Sequence, residues 1–233
     1  MKNFAFIFAR GGSKGLPGKN VKPLLGKPLI EYSIDIAMAS DAIDKVFVST
    51  DDREIAEIGA ALGAEIILRP SELATDKSPE WLAWRHAIKH VEQVYGKFDN
   101  FISLPTTSPL RSLEDVESAI LKRVKENADI CISVVEAGRS PFFNMVKQSE
   151  SGFFELVNKS ESSVERRQDA PKIYDITTVA YVASPHFILN NYGLFSGNVT
   201  SIEIPKERAV DIDDIYDFLL AEIIMKKGSS HDT

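Results

Sequence analysis

An unbroken apolar run, Phe4-Ala5-Phe6-Ile7-Phe8-Ala9, passes without a spacer into Arg10-Gly11-Gly12-Ser13-Lys14-Gly15-Leu16-Pro17-Gly18-Lys19-Asn20. A strand that is apolar on both faces must be covered on both, so the run predicts a central strand of a parallel sheet. Ligands of open α/β sheets sit outside the carboxyl ends of such strands, which makes the loop that follows a candidate site. Its four glycines free backbone amides to approach an anion closely, and Arg10, Lys14 and Lys19 bring three cations to one loop. A triphosphate needs that combination. Two familiar meanings are excluded by register. A P-loop needs glycine where Ser13 stands and Ser or Thr where Asn20 follows Lys19, and a dinucleotide fingerprint does not fit the spacing of Gly11, Gly12 and Gly15.

The rest of the chain alternates between strand and helix patterns. Strands are expected at 45–50, 64–68, 98–104 and 130–135, and helices at 30–40, 52–62, 79–95 and 112–126. Gly63 suits the end of one helix, and Ser112 with Asp115 has the spacing of a capping pair at the start of another. The pattern implies an α/β fold with a mostly parallel sheet flanked by helices. Residues 136–173 break it. They are polar, with Phe142-Phe143 and Phe153-Phe154 as aromatic patches and Gly152 at a possible turn, and they read as a small β-rich arm inserted into a single domain of residues 1–233. Strand patterning returns at 179–183 and 199–204. An amphipathic helix is expected at 214–225.

The acidic net charge of −7 argues against non-specific nucleic-acid binding, which needs a basic face. No segment reaches the ~20 apolar residues of a membrane span. Cys131 is the single cysteine; it sits in an apolar run and reads as a buried small hydrophobe in a cytoplasmic protein. His86 and His90 lack the glutamate of a metalloprotease helix and read as surface residues.

Other segments carry candidate chemistry. In Val210-Asp211-Ile212-Asp213-Asp214, alternate residues of an extended chain share a face, so Asp211 and Asp213 could hold Mg²⁺, a hard cation that also binds phosphates. Asp213 or Asp214 could equally start the last helix, and both readings hold if Asp214 is the cap. Thr106, Thr107 and Ser108 lie between Pro105 and Pro109 at the end of a strand, where an ordinary strand-to-helix turn is the plainer explanation. Arg69-Pro70 and Arg166-Arg167-Gln168-Asp169 are weak signals alone, and Ser49-Thr50-Asp51-Asp52 reads as a helix cap.

Taken together these residues resemble the CMP-sialic acid synthetase family, the acylneuraminate cytidylyltransferases. The matching pieces are Ala9-Arg10, Ser13-Lys14-Gly15-Leu16-Pro17 and Lys19-Asn20; Val48-Ser49-Thr50-Asp51; Leu68-Arg69-Pro70 with Glu72-Leu73-Ala74 and Asp76; Thr107-Ser108-Pro109-Leu110-Arg111; Arg167-Gln168-Asp169; and Asp211-Ile212-Asp213. They stand in the family's order and cover nearly the whole chain. The resemblance implies a Rossmann-like nucleotidyltransferase fold with an arm exchanged across a homodimer. It implies that CTP and a 2-keto-3-deoxy sugar acid give a CMP-sugar and pyrophosphate, with Mg²⁺ as cofactor. By residue match, Arg10, Lys14, Lys19 and Asn20 surround the triphosphate together with Gly11, Gly12, Ser13 and Asp76. Arg69 lies near cytosine. Thr106, Thr107, Ser108, Arg167 and Gln168 meet the sugar, and Asp211 and Asp213 meet metal. Arg10 and Lys19 would stabilise charge on the phosphoryl and leaving oxygens, and Asp211 could help remove the hydroxyl proton.

Departures from the family concern substrate recognition. A glutamine is replaced by Pro105, and an Asn-Gly pair falls at Thr177-Thr178. A lysine of the arm aligns near Phe143, and a serine of the base pocket aligns near Glu80. Losing polar contacts changes specificity, so the acceptor is expected to be a sialic-acid-like nonulosonate or another 2-keto acid. Two alternatives remain at this stage: a nucleotidyltransferase acting on a sugar 1-phosphate or a pterin cofactor, and an idle homologue that only binds nucleotide.

Overall fold

Strand β1 (Asn3–Phe8) sends Ala5 and Ile7 to one face and Phe4 and Phe6 to the other, because successive side chains alternate. Both sets are buried, which explains the unbroken apolar reading. The computed structural model that shows this describes residues 1–158, 166 and 169–228. After β1 come a short hairpin of β2 (Pro23–Leu24) and β3 (Lys27–Pro28), then α1 (Leu29–Ala39), β4 (Lys45–Thr50), α2 (Arg53–Ala61) and β5 (Glu65–Leu68). Next are α3 (Glu80–Tyr95), β6 (Asn100–Ser103), α4 (Leu113–Lys125), β7 (Ile130–Glu136), β8 (Val146–Gln148) and β9 (Phe154–Leu156). The described chain closes with β10 (Tyr174–Ala183), α5 (Pro185–Asn190), β11 (Val199–Glu203) and α6 (Ile215–Gly228).

Seven strands form one sheet in the order β11-β7-β10-β6-β1-β4-β5. Every neighbouring pair is parallel except those of β10, which runs antiparallel to β6 and β7. The carboxyl ends of β1, β4, β5 and β6 therefore open on one edge, where the loops from Ala9, Asp51, Arg69 and Leu104 begin. This is the Rossmann-like arrangement expected from the sequence, with helices on both faces.

The two faces pack differently. On one, Ile30 and Ile34 of α1, Ile55 of α2 and Val116 and Ala119 of α4 cover Ala5, Ile7, Val46 and Val48. On the other, Trp84, Ala87, Ile88 and Val91 of α3 cover Phe4, Phe6, Phe47 and Phe101. The Phe6 ring stacks on Phe47 and Phe101 at centroid distances of 5.2 and 4.6 Å. Truncating such a ring to alanine costs about 3–5 kcal/mol. Asp52 caps α2 through the Ile55 N–H, and Ser112 and Asp115 form a complete capping box on α4.

Among the described residues the arm between β7 and β10 carries a two-stranded hairpin, β8 with β9, turning through Gly152 at φ +85° as expected. Two local expectations change. Strand β10 begins at Tyr174 rather than 179, with a break in register between Thr177 and Tyr181. Ser133 fills that break: its hydroxyl accepts from Ala180 N–H at 3.0 Å and from the Thr177 hydroxyl at 2.8 Å. The last helix, α6, is not amphipathic. It buries Phe218 and Ala221 yet exposes Tyr216, Leu219, Leu220 and Ile223.

Candidate active site

At the sheet's carboxyl edge, the loop after β1 folds back over the strand ends and bounds a cavity of about 290 Å³. Arg10, Ser13, Lys19 and Asn20 line it from the first loop, Arg69 and Asp76 from the segment after β5, and Thr106 and Thr107 from the segment after β6. Asn20 is buried between the two sides. Its amide donates to the Arg10 carbonyl at 2.9 Å and its oxygen accepts from the Thr106 hydroxyl at 2.5 Å. A side chain so fixed sets the spacing between the loops.

The cations are paired. Arg10 and Lys14 each lie 2.6 Å from one oxygen of Asp76. Their hydrogen bonds, that of Lys14 first, hold the Asp76 carboxyl below the usual range. Lys19 has only 11% of its side chain exposed and lies 3.6 Å from Asp213. It donates to the Ile212 carbonyl at 2.5 Å, so the first loop is tied to the segment before α6.

Arg69 is buried. Its Nε and Nη2 donate to Ser49 Oγ at 3.2 Å and Ser49 O at 2.7 Å, and its guanidinium lies over the Phe8 ring at 5.5 Å. Burial lowers its pKa, opposed by Asp51 and Glu80.

The glycines of the loop serve different ends. A Cβ on Gly11 would meet Asp52 Oδ2 at 2.6 Å, and one on Gly15 would meet the Asp213 carbonyl oxygen at 2.3 Å. Gly18 takes φ +66°. A Cβ on Gly12 would meet nothing within 4 Å. The Gly11 amide donates to Asp51 Oδ1 at 3.2 Å, and Gly11 and Asp52 both line a smaller recess.

Among the other candidates, Ser108 is fully buried and its hydroxyl contacts Thr178 Oγ1 at 2.7 Å, outside the main cavity. Arg111 is buried too. It donates to Ser33 Oγ at 2.6 Å, to the Pro105 carbonyl, and to the Thr178 carbonyl at 3.3 Å. Burial brings its pKa down to about 9. These two residues brace the turn from within. Arg167 and Gln168 lie outside the described residues.

Asp211 and Asp213 diverge. Asp211 has a buried Oδ1 with no hydrogen-bond partner, whereas the Asp213 side chain is 80% exposed. Asp214 Oδ1 accepts from Tyr216 N–H at 2.7 Å and Asp217 N–H at 3.2 Å, so Asp214 is the helix cap. No cluster of three or more His, Cys, Asp or Glu forms a metal site among the described residues. An orphaned carboxylate oxygen fits Mg²⁺, which takes one or two protein carboxylates and completes its shell with phosphates and water.

Phe8, Thr75, Ser78 and Glu80 also line the cavity. Phe8 was hidden inside an apolar run, and Thr75 and Ser78 inside an unremarkable polar turn. Glu80 was visible only as a departure from the family's serine. Trp84 Nε1 donates to Glu80 Oε1 at 3.2 Å. Crowding by protein pushes the Glu80 carboxyl up, Trp84 and Arg69 oppose this, and Asp211 adds to it.

A cationic cleft of this size on the carboxyl edge of a Rossmann-like sheet defines a nucleotide-using α/β enzyme of the nucleotidyltransferase class. A solved structure of CMP:2-keto-3-deoxy-manno-octonic acid synthetase complexed with CTP has the same fold, with a TM-score of 0.71 and 17% identity over 98% of this chain and all of that one. The profile of the cytidylyltransferase family matches residues 4–194, and the chain belongs to that family. It is 33% identical over 227 residues to the N-acylneuraminate cytidylyltransferase of Escherichia coli O18:K1:H7, covering 97% of this chain but 52% of that protein. It is 32% identical over 221 residues to the CMP-N,N'-diacetyllegionaminic acid synthase of Campylobacter jejuni, covering 94% and 93% of the two chains.

Proposed function

We propose that the protein couples CTP to a sialic-acid-like nonulosonate, a 2-keto-3-deoxy sugar acid, to give a CMP-sugar and pyrophosphate. The observation that carries this reading is the Lys19–Ile212 contact at 2.5 Å, which ties the cationic loop to the Asp211-Ile212-Asp213 segment. The relatives that act on N-acylneuraminate and N,N'-diacetyllegionaminate support the acceptor class.

In this reading the sugar's anomeric hydroxyl oxygen attacks the α-phosphorus. The bond from that phosphorus to the bridging oxygen breaks, and pyrophosphate leaves with the electron pair. Catalysis of this kind is mainly positioning and charge stabilisation. Arg10 and Lys19 neutralise charge developing on the phosphoryl and leaving oxygens. Lys14, Ser13, Gly11 and Gly12 complete the triphosphate side, and Asp76 holds Arg10 and Lys14 together until phosphates replace it. Arg69 meets cytosine. Asp211 and Asp213 would hold Mg²⁺, which supplies charge neutralisation to the phosphate oxygens when bound. The hydroxyl proton passes to a carboxylate, for which Asp211 is the candidate.

Thr106 and Thr107 face the sugar, with Ser108 holding their turn and Arg167 and Gln168 contributing from the arm. The Pro105 carbonyl accepts from Ser33 Oγ at 3.2 Å and from Arg111. That position braces the turn and offers no side-chain amide to a sugar hydroxyl, which favours an acceptor other than N-acetylneuraminate itself. We also assign the protein to the cytoplasm, as a homodimer built through the arm; among the described residues no helix is long and apolar enough to cross a membrane. A pyrophosphate-release screen of nonulosonic and octulosonic acids with CTP tests the proposal. At least one acid should release pyrophosphate well above background, and silence across the panel would overturn it.

A further inference from the structure

Strand β10 breaks register between Thr177 and Tyr181, and Thr178 falls inside the break. Ser133 of β7 holds the break in place. Its hydroxyl accepts from the Ala180 N–H and the Thr177 hydroxyl, and it lies 3.1 Å from the carbonyl oxygens of both residues. Released from the ladder, Thr178 meets the segment after β6. Its hydroxyl accepts from the Thr107 hydroxyl at 3.2 Å and lies 2.7 Å from the Ser108 hydroxyl, and its carbonyl accepts from Arg111 at 3.3 Å. A β-branched side chain has few rotamers, so the direction of this hydroxyl is set with the backbone. An Asn-Gly pair at 177-178, as in the family that the sequence resembles, would bring no hydroxyl to this point.

The path continues to the reacting groups. Thr107 lines the cavity, and its carbonyl accepts from the Ile212 N–H at 2.9 Å. The Ile212 carbonyl accepts in turn from Lys19 at 2.5 Å. Ile212 stands between Asp211, whose buried Oδ1 has no hydrogen-bond partner, and Asp213, which lies 3.6 Å from Lys19. A shift of the Thr107 carbonyl therefore reaches both carboxylates and the cation together. From this path we propose that Thr178 is a positioning residue: through Thr107 it fixes Asp211-Ile212-Asp213 and Lys19 at the spacing that a divalent cation on the nucleotide requires. The inference rests on CTP being the nucleotide and on Asp211 and Asp213 being the metal carboxylates. Thr178 is not among the residues that line the cavity, so its hydroxyl acts through the turn. Mg²⁺ demands near-ideal octahedral geometry. A small displacement of Asp211 should therefore weaken the metal's hold far more than the contacts of Arg10 and Lys14 with phosphate.

Calorimetric titration of CTP, once with Mg²⁺ and once with EDTA, tests this in the wild type, Thr178→Val and Thr178→Ser. No acceptor sugar is present. The quantity read is the gain in CTP affinity that Mg²⁺ brings. Valine keeps the shape of threonine and removes the hydroxyl, and its gain should be at least about fivefold smaller than the wild type's, the scale of one lost hydrogen bond. Its affinity in EDTA should stay within about twofold of the wild type's, because Arg10 and Lys14 are untouched. Serine returns the hydroxyl and should restore the gain to within about twofold. A gain in Thr178→Val that matches the wild type's would overturn the inference. So would an equal loss of affinity with and without Mg²⁺, which marks a residue that only holds the fold together, or a serine variant no better than valine. A wild type that fails to bind CTP, or gains nothing from Mg²⁺, rejects the nucleotide or the metal reading and this inference with it. A wild-type gain that valine leaves intact rejects this inference alone. The acceptor class does not enter the measurement, so an error there leaves the result unchanged.

Discussion

Lys19 donates a 2.5 Å hydrogen bond to the carbonyl oxygen of Ile212, a residue 193 positions away. The ammonium is nearly buried, and its other neighbour is the Asp213 carboxylate at 3.6 Å. One side chain thus sets the distance between the cationic loop and the carboxylates. Lys19→Met should lower kcat/KM at least about 100-fold, since charge stabilisation of a transferring phosphoryl group is lost. Lys19→Arg should retain part of it. Steady-state kinetics with CTP as the varied substrate check this, and a loss under threefold would remove Lys19 from the reacting centre.

The loop glycines should not be equivalent. Gly15→Ala puts a methyl group 2.3 Å from the Asp213 carbonyl oxygen, a backbone atom that cannot step aside. The loop must move away from Asp213, and a shift of about 1 Å near the chemistry can cost about 100-fold in rate. Gly12→Ala meets open space and should leave activity within about twofold. Parallel assays of the two variants compare them directly, and equal effects would mean that close packing against Asp213 is irrelevant.

Asp76 occupies the cations that a triphosphate would need, with 2.6 Å contacts to both Arg10 and Lys14. Asp76→Asn should therefore tighten binding of inorganic tripolyphosphate by about threefold or more, because the competing charge is gone. Calorimetric titration measures it. Weaker binding in the variant would mean that Asp76 orients Arg10 more than it competes with phosphate.

Asp115 should mark the acid limit of stability. It is buried, accepts 2.8 and 2.9 Å hydrogen bonds from Arg208, and accepts the Ser112 N–H at 2.9 Å. Burial alone would raise its pKa; Arg208 and Ser112 outweigh that and hold it low. A depressed folded-state pKa means that this stabilisation is complete above the unfolded value of about 3.9 and is lost as pH falls below it. Asp115→Asn should cost about 2–3 kcal/mol near neutral pH and flatten the fall of Tm on acidification. A variant whose Tm follows the wild-type curve would contradict this.

The parallel core was legible because its signal is local. The residues of β1 and β4 are apolar on both faces, and Asp52 and Ser112 sit where caps belong. Strand β10 was cut short because Thr177-Thr178 lies at a register break, and what satisfies it is Ser133, 44 residues earlier. The sequence order also put Ser108 and Arg111 in a motif without saying which way they face. The structure turns both inward onto Thr178, so part of the motif shapes the turn rather than the ligand. Asp211 and Asp213 looked equivalent at alternate positions. The chain bends at Asp213 to enter α6, and only Asp211 keeps a buried oxygen without a partner. The apolar surface of α6, which exposes Tyr216 and Leu220, defeated an expectation based on periodicity alone.

The fate of the α-phosphorus tests the central claim most directly. With CTP labelled at that atom, Mg²⁺ and a nonulosonic acid, the account predicts one new product that holds the label and the acid together, formed in equal amount with unlabelled pyrophosphate. Label found only in CMP or CDP, or a labelled product formed equally well without the acid, would contradict it.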